Sequence, residues 1–282
     1  MPIYEETYRA WHGQLAARPR TWWIIARTGS RLRWKRAMIL VLLLAALPFL
    51  VRGAQIYVAM RLGDSPELAE MVQELQIDAG FFADFLRGQA FFLVLVLILA
   101  GAGLIASDRK FGALAVYFSK PVRFWDYVLG KFLIVAFYGS LITLLPCLLL
   151  FLMRVLLAQD AAFLQEYYWI PFSIIGQVAL SLLTLGGVIL VLSSTTGGSR
   201  SAAVLFFAVL TVPDLLRQIL PSISGLGLVS LPAVLRQTSA LLFGLERPFD
   251  FSAWLGLGVL MGVAGLSLAV LKIRVRPTEV VR

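Results

Sequence analysis

The chain has 282 residues, 60% of them apolar and 15% charged, with a mean hydropathy of +0.85 and a formal net charge of +9. A soluble domain is about half apolar and about one-quarter charged, so this balance excludes disorder and a soluble two-domain enzyme. One Cys (Cys147) and one His (His12) exclude a disulfide framework and a Cys/His metal site, and the absence of Asn removes any N-glycosylation acceptor. What remains is an all-α polytopic membrane protein.

The basic leader covers residues 1–36. Within it Trp22, Trp23, Ile24 and Ile25 alternate in blocks with Arg27, Arg31, Arg33, Lys35 and Arg36. Aromatics at headgroup level with cations toward phosphate predict an interfacial helix; the alternative is a solvated basic segment that only sets topology. The first apolar run starts near residue 37 with no small-residue cleavage site after it, which argues against a secretory signal peptide.

A helix crossing a bilayer core needs about 20 mostly apolar residues. Six stretches qualify, at about 35–58, 89–106, 131–153, 170–192, 202–221 and 252–271. Arg52 interrupts the first, roughly 27 Å along the helix from Trp34, and is expected to snorkel to the far interface. In the outer loop at about 59–88, Asp64-Ser65-Pro66-Glu67 signals a helix start. Leu68, Met71, Val72 and Leu75 then give it one apolar face. Phe81-Phe82-Ala83-Asp84-Phe85 is expected to lie along the outer interface.

The loop at about 107–131 holds Asp108-Arg109-Lys110, a helix-breaking Gly112, a short amphipathic piece, and Pro121 starting the helix that runs into the third span. Its charged and aromatic side chains suit either a gripping surface for another protein or a structured connection that binds nothing. In the fourth span Ser173, Gln177, Ser181 and Thr184 share one face at i, i+4, i+8 and i+11. That stripe is either a translocation surface or interhelical hydrogen bonding worth about 0.6–2 kcal/mol per contact, with the second favoured. Residues 231–242, in a last outer loop punctuated by Pro213, Pro221, Pro232 and Pro248, fit a short outer helix or a re-entrant one. Gly258-x-x-x-Gly262 in the sixth span reads as close helix packing.

With the N-terminus inside, 18 of the 25 Lys and Arg residues fall on the cytoplasmic side and 7 outside. The positive-inside rule therefore puts both termini in the cytoplasm. The excess charge is read as topology plus contact with anionic membrane lipid, with no nucleic acid involved. Arg outnumbers Lys 20 to 5, which together with the missing Asn suggests a GC-rich bacterial coding sequence.

Catalytic patterns are missing. The one Gly-Lys, Gly130-Lys131, has Trp125 where a phosphate-binding loop needs Gly and Phe132 where it needs Ser or Thr. No Gly-x-Gly-x-x-Gly, His-Glu-x-x-His or Gly-x-Ser-x-Gly occurs, so the chain is not expected to be an enzyme or to hold a cofactor or metal. No acidic residue falls in the central part of a span under the boundaries above, which counts against an ion-coupled transporter.

The segments Gly103-Leu-Ile105-Ala-Ser-Asp108-Arg109-Lys110, Gly112-Ala-Leu114 and Ser119-Lys-Pro121-Val-Arg123-Phe-Trp-Asp126-Tyr127-Val-Leu-Gly130-Lys131 resemble the ABC-2 family of ABC-transporter permease subunits. Gly-Ala-Leu stands where that family usually has Gly-Thr-Leu, and Asp108 where Glu is common. The basic C-terminal segment from Arg274 resembles family members more weakly. The resemblance implies a bacterial inner-membrane subunit that pairs with a second permease subunit, identical or sister, and with a cytosolic ABC ATPase that holds the ATP. It implies an elbow helix in the leader and a coupling helix in the loop, with Asp108, Arg109, Lys110, Gly112, Pro121, Arg123, Asp126 and Tyr127 as coupling residues. Gly130 and Lys131 would form the hinge into the third span. A membrane scaffold that anchors a cytosolic partner through the same loop is the alternative.

Overall fold

A computed structural model describes residues 20–61, 77–118, 122–158, 161–220 and 225–275. The expected helix at 64–75, the Ser119-Lys120-Pro121 segment and the segment from Arg276 lie outside the described residues. Among the described residues every regular element is helical. In chain order they are α1 (Thr21–Leu32), α2 (Arg36–Arg61), α3 (Ala79–Gly101), α4 (Ala106–Lys110), α5 (Ala113–Phe118), α6 (Phe124–Ile142) and α7 (Leu144–Ala158). There follow α8 (Ala161–Tyr167), α9 (Ile170–Thr195), α10 (Ser199–Ile219), α11 (Leu226–Val229), α12 (Leu231–Leu242) and α13 (Ala253–Arg274).

Six stretches are long and apolar enough to cross a membrane: Arg36–Met60, Ala79–Lys110, Phe124–Leu157, Phe163–Thr195, Ser199–Ile219 and Ala253–Arg274. They overlap all six expected spans, and the chain is a multi-pass membrane protein by this measure. Two of them form the interior. The stretch containing α9 is 61% buried and that containing α3 is 56% buried, whereas α2 is 11% and α10 is 17% buried. Apolar residues all round a helix require cover on every side; α9 obtains it from α3, α6, α7, α10, α12 and α13, while α2 and α10 leave most of theirs exposed.

Proline sets the bends. Pro146 lacks the N–H that would continue the ladder, and the third span divides there into α6 and α7, with Thr143 Oγ1 donating back to the Gly139 carbonyl at 2.7 Å. In α2, beside Pro48, Gln89 Nε2 from α3 donates to the Ala45 carbonyl at 2.8 Å.

Three expectations are corrected. The second span begins at Ala79 rather than near 89, because Asp78 caps it by accepting the Phe81 N–H at 3.0 Å. Phe81, Phe82 and Phe85 are accordingly inside, packed with Cys147, Leu150 and Phe151, and not along an interface. Asp84 and Arg87, which broke the apolar window, pair with each other at 3.2 Å on the exposed face. Beside the start of α3, the Arg52 guanidinium from α2 lies 4.8 Å from the Phe81 ring centre. Asp214 does not belong to an outer loop, since α10 continues through Pro213 to Ile219.

Residues 231–242 form α12, capped by Ser230, whose hydroxyl accepts the Ala233 N–H at 3.3 Å. This helix lies against α9 and α13 with Ala233, Val234 and Gln237 buried.

At the other end of the bundle, α1 runs along α6. Gly130 permits the approach: a Cβ there would stand 2.8 Å from Ile25 Cβ and 3.0 Å from the Trp22 carbonyl oxygen. Tyr138 OH then donates to the Ser30 carbonyl at 2.7 Å. Substituting Gly130 by Ala overpacks this contact and is expected to cost about 1–3 kcal/mol. Thermal unfolding of the purified protein should show a lower Tm; an unchanged Tm would refute the packing of α1 on α6.

Candidate functional site: the loop between the second and third spans

The turn after α3 exposes backbone N–H groups at the start of α4, a helix too short to satisfy them itself. Ser193, near the end of α9, supplies the acceptor: its Oγ takes the N–H of both Ile105 and Ala106 at 3.0 Å. One turn later Arg109 donates its guanidinium to the Ser194 carbonyl. By these bonds α4 is fastened to the end of the central helix.

From α4, Asp108 turns inward. Its Oδ2 lies 2.7 Å from Lys131 Nζ and accepts the Tyr127 hydroxyl at 2.7 Å. Lys131 also donates to the Leu104 carbonyl at 3.2 Å, and its ammonium lies over the rings of Tyr117 (5.7 Å) and Tyr127 (5.3 Å). Both charged side chains are buried, Lys131 8% and Asp108 16% exposed. Arg33, just past α1, also acts on Asp108; burial lowers its pKa from the ordinary value and the carboxylate works against that fall. For Tyr117 the two effects add, since burial and then the Asp108 charge both raise its pKa and keep the phenol neutral.

The expected coupling residues therefore separate into two groups. Asp108 and Tyr127, with Lys131, form an internal network that joins α4 to α6. Arg109, Lys110, Gly112 and Arg123 are exposed, and Asp126 is half-buried, accepting the Arg123 N–H at 3.3 Å at the start of α6. Gly112 turns the chain between α4 and α5 with φ of 66°, a conformation that favours glycine. Pro121 lies outside the described residues. Apolar side chains stand out beside these charges: Phe111 is 78% exposed, Val116 63% and Trp125 59%. Gly130 and Lys131, expected as a hinge, sit inside an unbroken α6; the one is the contact point for α1 and the other the partner of Asp108.

The polar stripe on α9 also divides. Ser173 Oγ donates to the Leu242 carbonyl at 2.6 Å and Gln177 Nε2 to the Leu235 carbonyl at 3.2 Å, so both bind α12. Ser181 bonds back to the Gln177 carbonyl at 2.8 Å, and Thr184 is buried. Gln177 and Ser181 additionally line a cavity of about 590 Å³ enclosed by α3, α9, α10 and α12, which Ser173 and Thr184 do not reach.

Sequence reasoning missed Ser193, Arg33 and Asp214. A Ser-Ser-Thr-Thr run at a helix end was the available signal for the first. Asp214 accepts from Ser230 Oγ at 2.8 Å and Gln218 Nε2 at 3.0 Å, and pairs with Arg217 at 3.2 Å and Arg236 at 3.3 Å.

No family model matches this sequence, and no curated protein is significantly similar to it.

The Asp108 network makes an asymmetric prediction. Removing one member of a buried pair strands the other, at about 3–5 kcal/mol. Asp108→Asn leaves Lys131 and Arg33 without their common anion, whereas Lys131→Met leaves Asp108 the charge of Arg33. Thermal unfolding should therefore show Asp108→Asn as the more damaging, and the reverse order would refute the role of Arg33.

Proposed function

We propose that this chain is the membrane-spanning permease subunit of a bacterial ABC exporter, driven by ATP hydrolysed on a separate cytosolic ATPase. The observation that carries the reading is the 107–131 loop. Its short helices present Lys110, Phe111, Arg123 and Trp125 outward, while Asp108, Arg109 and Tyr127 fix it to α6 and α9. A partner gripping such a loop moves transmembrane helices with it, because the loop's anchors are buried side chains of those helices. The permease pairs with a second permease subunit, both termini face the cytoplasm, and α1 is the elbow helix at the membrane surface.

Mild-detergent purification from the native host should recover a stoichiometric protein with a phosphate-binding Gly-x-x-x-x-Gly-Lys-Ser/Thr loop. With that partner reconstituted, Arg123→Glu should lower permease-stimulated ATP turnover several-fold while the protein stays in the membrane at normal level. Normal turnover in that variant removes the coupling assignment. Recovery of a cytosolic partner without ATPase sequences favours the anchoring scaffold instead.

A further inference from the structure

The cavity of about 590 Å³ is of the size that takes a whole organic ligand. Its walls change character in one direction along three helices. On α3 they pass from Arg87 to Leu93 and Val94, on α9 from Gln177 to Leu185, and on α10 from Gln218 and Asp214 to Leu210 and Phe207. Because α10 runs antiparallel to the other two, all three polar ends fall at the same end of the bundle, where α12 adds Arg236. From Gln218 to Phe207 the wall is roughly 16 Å long at 1.5 Å per residue. The space is thus a polar mouth over a long apolar limb.

The mouth has a definite chemistry. Asp214 is already matched by Arg217, Arg236, Ser230 and Gln218. Arg87 and Arg236 come from different helices yet line the same space, each with one carboxylate partner, Asp84 and Asp214 respectively, and with guanidinium N–H groups left to offer a phosphate. One acceptor, Glu246, lines the same space, and a ligand hydroxyl or ammonium is its natural donor.

We propose that this cavity binds a single-chain phospholipid, its phosphate between Arg87 and Arg236, its hydroxyl or ammonium toward Glu246, and its alkyl chain along α10 to Phe207. Naming this class as the cargo rests on the permease reading above; the binding itself does not.

The test uses the purified full chain in maltoside detergent with no ATPase present, and radiolabelled palmitoyl lysophosphatidylethanolamine as probe. Saturable binding is expected, competed by unlabelled probe but neither by glycerophosphoethanolamine, which is the head alone, nor by hexadecanol, which is the chain alone. Arg87→Ala removes an exposed side chain held only by Asp84 in the ion pairs of the described residues, and should weaken binding about tenfold, as loss of one charged hydrogen bond does. Ala90→Trp fills the limb from an exposed position and should abolish saturable binding. The proposal is overturned by an absence of saturable binding, by competition from the head or the chain alone, or by wild-type binding in both variants. Because the assay contains only this chain, its failure leaves ATPase recovery untouched, and failed ATPase recovery leaves this binding untouched.

Discussion

In a chain this apolar, a backbone group released where a helix bends or ends has no water to turn to, so a side chain from a neighbouring helix has to meet it. That constraint runs through the whole bundle. Ser193 of α9 meets the first amides of α4, and Gln89 of α3 reaches the Ala45 carbonyl near Pro48. Ser173 and Gln177 meet carbonyls of α12, and Gln237 of α12 in turn holds the Phe249 and Phe251 carbonyls at 3.1 and 2.5 Å. The polar side chains of the interior are few, and Ser173, Ser193, Ser230 and Gln237 among them serve helix ends or loops. Helix breaks and buried polar residues are consequently one pattern in this fold.

Charge is handled differently at the two ends. At the loop end one carboxylate, Asp108, serves Lys131 and Arg33, and a phenol completes its coordination. At the opposite end one carboxylate, Asp214, serves Arg217 and Arg236, and the Phe249 ring lies 4.8 Å from the first guanidinium and 5.6 Å from the second. Buried ion pairs add little net stability over apolar packing, but each fixes which helices meet. Here they tie α4 to α6, and α10 to α12. A slip of either contact by one residue would strand a charge, so these pairs set register where Leu and Val packing alone would tolerate several alignments.

The six spans were legible because an apolar window of helical length has few other uses. Their ends were not. Asp84 and Arg87 made the start of α3 look like loop, although they pair on its exposed side, and Pro213 made Asp214 look like loop, although the helix runs through it. The loop at 107–131 was legible as folded and charged, yet not in its orientation. Asp108 and Arg109 are adjacent and equally polar, and only the positions of Lys131 and Ser194 decide that one points in and the other out toward α9. For the α9 stripe, the interhelical reading holds at Ser173 and Gln177, which bond to α12. Pairings across long sequence separations, such as Tyr138 with Ser30, leave no local trace.

The central helix α9 spans 26 residues without a break, about 39 Å at 1.5 Å per residue. One end carries the Ser193 and Ser194 fastenings to α4, and toward the other lies Gln177 at the cavity. A rod of that length, pivoting near its midpoint by about 5°, carries its tips roughly 1.7 Å in opposite directions. Gly186 and Gly187, where Phe132, Val135 and Ser267 come closest, lie a little beyond its middle and would serve as the fulcrum. The α4 fastenings and the cavity wall at Gln177 therefore share one unbroken helix, so a rigid tilt of that helix would displace both together.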